Sequence, residues 1–357
     1  METIDISKWT VNKIKDWAKE EGFKIPSNVN KSKLVSYIEG QWYERQNGVI
    51  KDTKMIKIPM DSLESRYQDS NIDWLVHLHK HGWAVAPILN WDPEFINSFF
   101  DFLEDCNSNF DRNDPETWIK ANLPDKIMSR GILKHYFGHN EFLWKIRELC
   151  IQIFSRIWST QDLLSSYDGG CFLPPTKKNN FTHWIHHDTP KGVFDFCSVQ
   201  GIVNFVDNGP NDGGLVLLEG SREVFKEYME KYPSSGIIWE KANIRDPLLS
   251  DKQLIKICAP AGHIILFDSR IFHCNVPPTS DNYRMCTYVS MEPRSGATQQ
   301  ELNERIKMYE NGSMSSHWCY GPGFYKNPKD PQYKDNNVPS TIEIAPLNDT
   351  RKGLIGY

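Results

Sequence analysis

Several protein classes are excluded by what this sequence lacks. Its eight cysteines (Cys106, Cys150, Cys171, Cys197, Cys258, Cys274, Cys286 and Cys319) include no Cys-x-x-Cys pair. A chain of 357 residues can build a core without disulfide staples, so these read as reduced thiols of an intracellular protein, cytoplasmic or nuclear. The sequons at Asn180, Asn311 and Asn348 then read as chance matches. No stretch approaches the roughly 18 apolar residues of a membrane span, and runs such as Ile264 to Phe267 are strand-sized, so no membrane partner is expected. The acidic start, Met1 to Asp5, lacks the basic region of a secretory signal. Glycine (22) and proline (21) are too few for a collagen-like or low-complexity chain, and 39% hydrophobic residues argue against disorder.

Strong net charge is also missing, but the -5 total is uneven. Residues 8 to 42 hold seven lysines against four acids, a local +3 that leaves -8 for the remainder. This segment reads as two short helices. Thr10 caps the first, Val11, Ile14, Trp17 and Ala18 share its face, and Gly22 ends it. Leu34, Val35 and Ile38 mark the second, after a loop through Pro26. The expected organisation is a helical module over 1–45, a polar linker over 46–70, a compact domain over 71–320 and a C-terminal extension over 321–357 that wraps the surface.

From Asn71 a short helix ends in His81-Gly82, and Trp83 to Ala86 reads as a strand. The cluster His77, His79 and His81 reads as a solvated helix face without a carboxylate at ligand spacing. Asp92-Pro93-Glu94 opens a helix through Leu103, and another follows Asn140 with Phe142, Leu143, Ile146, Leu149, Ile153 and Ile157 on its core face. After Thr160 the period becomes strand-like. Leu163 to Pro174, His183 to Asp188, Ser198 to Asp207, Gly214 to Leu218, Leu254 to Ala259, Ile264 to Asn275 and Arg284 to Glu292 are short runs between turn residues. They predict a mainly β fold with flanking helices (α+β), a sandwich or jelly roll with a small helical module in front. Thr298 and Glu301 form a capping box for a last helix through Met308.

Within the body stands His186-His187-Asp188. A lone His-x-acid is weak, since chance supplies about one such match in a chain of this composition. The second example, His139-Asn140-Glu141, starts a helix, where residues two apart diverge. His186 and Asp188 lie in a strand-like run, where residues two apart share a face. With His273 from a later strand they would make two imidazoles and a carboxylate, the facial triad of a non-haem Fe(II) site with three open positions for a bidentate 2-oxo acid and O2. Eleven residues after His273, across a turn, Arg284 opens the next strand and could aim a planar fork at the distal carboxylate of 2-oxoglutarate. His187 is out of phase with its neighbours and reads as structural, as does His183. Gln200 and Asn204 alternate on one strand face, with Gln200 a candidate co-substrate or substrate contact, and His317-Trp318 reads as packing at the pocket edge.

The order Gly82-Trp83-Ala84-Val85, His186-x-Asp188, Asn211-Asp212-Gly213-Gly214-Leu215 to Gly220-Ser221, Gly262 to His273, and Arg284 resembles the phytanoyl-CoA dioxygenase family of Fe(II)/2-oxoglutarate oxygenases over roughly residues 71 to 320. The resemblance implies a double-stranded β-helix (cupin-like) core, iron on His186, Asp188 and His273, and 2-oxoglutarate on Arg284. It also implies a co-substrate contact at Asn275, where Ser is more usual. Arg222 and Glu219 depart from the family's usual His and Pro. Oxidative decarboxylation of 2-oxoglutarate to succinate with hydroxylation of a primary substrate is the implied activity, and Asp188 favours hydroxylation over halogenation. Residues 8 to 42 resemble a SAP-type module, which implies DNA as a partner, while a helical hairpin docked on the body or binding a protein fits the same pattern. A nucleic-acid-binding protein whose barrel is scaffold or sensor is the alternative reading.

Overall fold

The computed structural model describes residues 8–20, 22, 23, 25, 31, 34, 38, 56–124, 131–133, 137–176, 180–190, 192–232, 240–324 and 344–357. Near its start the helix Val11–Glu20 forms where Thr10 Oγ1 accepts a hydrogen bond from the Lys13 N–H (3.3 Å), and it stops where Gly22 turns left-handed at φ 70°. Lys31, Leu34 and Ile38 are helical, and the rest of the expected second helix, Val35 included, lies outside the described residues. Ile14, Ala18, Phe23, Leu34 and Ile38 bury one another in a cluster with no residue in common with the other cores.

Among the described residues fifteen strands follow. The first eight are β1 (Lys57–Pro59), β2 (Glu64–Arg66), β3 (Trp83–Pro87), β4 (Ile132–Leu133), β5 (Leu163–Ser165), β6 (Gly170–Leu173), β7 (Asn180–Thr182) and β8 (His186–His187). The others are β9 (Val199–Asn204), β10 (Gly214–Glu219), β11 (Glu240–Lys241), β12 (Gln253–Ile257), β13 (His263–Asp268), β14 (His273–Val276) and β15 (Arg284–Pro293). One sheet runs β11-β8-β14-β10-β12-β2, a second runs β3-β13-β9-β15-β6-β4 with β5 also pairing β15, and β1 pairs β7 in a small two-stranded sheet. All pairs are antiparallel except β12 with β2.

Strand alternation decides what each face does. Leu215, Leu217, Ile255 and Ile257 of the first sheet pack against Ile202, Ile265, Phe267 and Cys286 of the second, so the two sheets close face to face as a jelly roll. The residues between them point outward. Val203, Leu266, Met285 and Val289 are covered by Phe99 and Leu103 of the helix Phe95–Cys106 and by Ile146 and Phe154 of the helix Glu141–Trp158. Val216, Leu218, Cys274 and Val276 are covered by Phe225, Tyr228 and Met229 of the helix Phe225–Lys231. Each such side chain contributes roughly 1.5–3 kcal/mol through its burial. Fold class is thus mainly β with flanking helices around a double-stranded β-helix core.

Several local expectations change. The run Ile264 to Asn275 is two strands in different sheets, because Asp268 breaks it. The Asp268 carbonyl accepts from Ile271 N–H, and its carboxylate accepts from Arg270 N–H and takes the Arg270 guanidinium. Leu163 to Pro174 likewise splits into β5 and β6, and within His183 to Asp188 only β8 is strand. Asp92 caps a turn, accepting from the Glu94 N–H at 2.9 Å, and the helix proper starts at Phe95. His77 is buried rather than solvated, its ring 4.5 Å from those of Trp83 and His81. The segment read as linker carries β1 and β2, and β2 extends the first sheet beside β12. The extension read as a surface wrap ends in the helix Asp349–Ile355, which buries Leu354 and Ile355 in the core and pairs Arg351 with Glu141 and Glu148. Among the described residues no helix is long and apolar enough to cross a membrane.

Candidate metal centre and co-substrate pocket

β8 lies between β11 and β14, and His186 is directly opposite His273 across the β8–β14 pair. His187, one residue out of phase, packs on the outer face between Phe225 and Phe272, each ring 5.6 Å away. Asp188 follows the strand and is fixed from behind, since Trp318 Nε1 donates to its carbonyl at 3.0 Å. His186, Asp188 and His273 are all buried, each offering a ligand atom within 4.8 Å of the others.

Hydrogen bonding sets the tautomers. His186 Nδ1 lies 3.0 Å from the Trp184 carbonyl and His273 Nδ1 lies 2.9 Å from the Ile271 carbonyl. Carbonyls only accept, so both Nδ1 atoms donate, and Nε2 is the atom each ring turns toward the shared site. Those two atoms face Asp188, His186 Nε2 at 3.5 Å from Oδ1 and His273 Nε2 at 3.3 Å from Oδ2. Burial works against the Asp188 charge, but His186, His317 and His273 outweigh it and hold the carboxyl well below the usual carboxylate range. Burial pushes the His186 imidazole down, with Asp188 opposing. Two imidazoles whose Nε2 atoms converge with a carboxylate fit a divalent transition metal, and the backbone bonds on Nδ1 supply the orienting contacts such ligands require.

The wall beside this group is polar and incompletely paired. On the inner face of β15, Arg284, Cys286 and Tyr288 alternate with the outward Met285 and Val289. Arg284 is 3% exposed and its Nη1 has no hydrogen-bond partner, which is unusual for a buried cation. Tyr288 Oη and Asn275 Oδ1 are also buried without partners. Asn275 shares the inner face of β14 with His273. Gln200 Nε2 is 3.5 Å from Asp188 Oδ2, whereas Asn204 donates to the Ala259 carbonyl.

The structure thus brings His186, Asp188, His273 and Gln200 together and sets Arg284 and Asn275 on the inner faces of two strands. Tyr288 was not singled out in the sequence, although it lies four residues after Arg284 and therefore on the same strand face. His317, read as packing, places Nε2 3.7 Å from Asp188 Oδ2. His183 is structural as read, with Nε2 3.1 Å from the Ala242 carbonyl.

No family model matches the chain. It is 29% identical over 267 residues to the "Ava biosynthesis cluster protein O" of Aspergillus versicolor, covering 69% of this chain and 85% of that protein. A protein of Dictyostelium discoideum named "Putative phytanoyl-CoA dioxygenase" is 25% identical over 257 residues, covering 59% of this chain and 71% of its own length. Among solved structures, the epimerase SnoN in complex with Fe3+, alpha ketoglutarate and nogalamycin RO is similar over 62% of this chain and 82% of its own, with 12% identity and a TM-score of 0.44. The motif resemblance to the phytanoyl-CoA dioxygenase family thus has a namesake among the curated relatives.

Proposed function

We propose that this protein is an Fe(II)- and 2-oxoglutarate-dependent dioxygenase that hydroxylates a primary substrate, with His186, Asp188 and His273 as the iron ligands. The convergence of His186 Nε2, His273 Nε2 and the buried Asp188 carboxylate carries the reading, because with both rings neutral three acceptors this close repel one another unless a proton or a metal cation lies among them. Iron bound there supplies activation of O2, which couples decarboxylation of 2-oxoglutarate to succinate and CO2 with oxygen insertion into a C–H bond. Arg284 anchors the distal carboxylate of 2-oxoglutarate through its unpaired Nη1, with Tyr288 Oη as a second donor, Asn275 contacting the co-substrate through its amide NH2, and Gln200 flanking Asp188. The apolar lining from Leu217 and Phe267 keeps water out of the pocket.

Anaerobic titration with Fe(II) and 2-oxoglutarate followed by O2 tests this directly. The wild type should form succinate and Asp188→Ala should form none; unchanged succinate in the variant sinks the assignment. The domain from 71 to 320 is the proposed catalytic unit. The basic segment 8–42, with its own core of Ile14, Ala18 and Leu34, is the proposed delivery module for DNA or a protein, in a cytoplasmic or nuclear enzyme. A salt-dependent mobility shift lost on deleting residues 1–45 identifies DNA, and its persistence after the deletion rejects that role.

A further inference from the structure

His317 lies in none of the strands that build the metal group. It is carried by the segment 313–323, which follows the helix Gln299–Glu310 and crosses the barrel beside Asp188. That segment is fixed along its length. Ser315 N–H donates to the Tyr167 carbonyl at 3.1 Å, and Tyr167 N–H donates back to Ser315 Oγ at 2.9 Å. Ser316 Oγ donates to the Gly323 carbonyl at 2.8 Å, and Cys319 N–H donates to Glu292 Oε2 at 3.0 Å. Arg305, fully buried, clamps the Cys319 carbonyl at 2.6 Å. Trp318, the next residue after His317, holds the Asp188 carbonyl.

This scaffold presents the His317 ring between two buried carboxylates. Nε2 faces Asp188 Oδ2 at 3.7 Å and Nδ1 faces Asp168 Oδ2 at 3.9 Å, while Nε2 is buried with no hydrogen-bond partner. Asp168 is itself held, its Oδ1 accepting from Gly169 N–H at 2.7 Å and its carbonyl accepting from the buried Arg147 at 3.2 Å. The gap to Asp188 is a few tenths of an ångström beyond hydrogen-bond reach, which a small ring rotation closes, as such bonds commonly tighten when a site is loaded. A carboxylate that binds a metal through one oxygen is held in orientation by donors on the other, and here His317 would join Gln200, whose Nε2 lies 3.5 Å from the same Oδ2.

We propose that His317 is a positioning residue that donates from Nε2 to Asp188 Oδ2 and so holds the Asp188 carboxylate in its metal-binding pose. The inference rests on the iron reading above. Its test is metal affinity rather than turnover. Co(II) binding is measured by calorimetry, and the visible absorption of Fe(II) with 2-oxoglutarate is recorded anaerobically, for the wild type and for His317→Phe, His317→Asn and His317→Gln. Glutamine places an amide N–H near Nε2, whereas asparagine has the same chemistry but is one methylene too short. The Phe and Asn variants should bind Co(II) about ten- to a hundredfold more weakly and show a shifted or weakened band, with Gln recovering most of both. Equal affinities for Asn and Gln, or a Phe variant that binds like the wild type, overturn the proposal while leaving the iron reading intact. The Asn and Gln pair decides even where Phe does not fold. A wild type that takes up neither Co(II) nor Fe(II) overturns both.

Discussion

Arg284→Met should make the ligand-free protein more stable and the loaded protein weaker, a reversal that a merely structural arginine does not produce. Methionine keeps most of the side chain's length and removes the charge. The Arg284 guanidinium is buried with Nη1 unpaired, and an unsatisfied buried donor costs about 1–3 kcal/mol, which the variant regains. With 2-oxoglutarate present the balance shifts. A bidentate contact to a carboxylate comprises two charge-assisted hydrogen bonds of roughly 1.5–3 kcal/mol each, so its loss weakens binding by roughly 3–6 kcal/mol, or about 100- to 10,000-fold. At a ligand concentration about 100 times the wild-type Kd, binding adds roughly 2.7 kcal/mol to the wild type and almost nothing to the variant. Thermal melts with Co(II), with and without 2-oxoglutarate, should therefore show the variant ahead without co-substrate and the wild type level or ahead with it. Calorimetry of 2-oxoglutarate binding gives the affinity directly. A variant that binds 2-oxoglutarate within about threefold of the wild type refutes the role of Arg284, since that corresponds to less than one hydrogen bond.

Two further substitutions separate site from scaffold. Burial pushes the Glu292 carboxyl up to about 7, with the Cys319 N–H, Ser198 and Arg305 opposing. Between its ordinary value near 4.5 and about 7, the folded protein holds a proton that the unfolded chain has lost, so stability falls as pH rises through that window, by roughly 3 kcal/mol in total. Glu292→Gln should lack this slope in urea titrations from pH 4.5 to 8, and matching profiles for variant and wild type would exclude Glu292 as its source. His187→Phe should leave Co(II) affinity within about twofold of the wild type, because His187 faces Phe225 and Phe272 on the outer wall. A loss comparable to that of Asp188→Ala would mean that the strand phase has been misread.

The parts of the fold that follow a period were legible in the sequence. Alternation along Ser198 to Asp207 and Arg284 to Glu292 marks β9 and β15 and tells inward from outward residues, which is why Gln200 could be singled out, while Arg284 stood out by its spacing from His273 across a turn. His186 and Asp188 were separable from His139 and Glu141 because only strand spacing lets residues two apart converge. Alternation does not reveal which sheet a strand joins. The step from β13 to β14 depends on the Asp268 turn, so Ile264 to Asn275 read as one run. His317 was beyond the reach of periodicity, since its segment is placed by Tyr167, Arg305 and Glu292, far from it in sequence. His77 was misplaced for a related reason: its burial is set by Trp83 in the next element.

The pairing of His186 with His273 also has a kinetic meaning. These residues are distant in the chain, with β9 and β13 of the other sheet between them in sequence, and become neighbours only when β8 docks beside β14. Such non-local closure is slow, because loop entropy is lost before the contact returns any stabilisation. A metal ion therefore cannot gather both histidines of this group before that closure. Its uptake during refolding should trail the burial of the tryptophans, making metal capture a late event that reports on the completed sandwich.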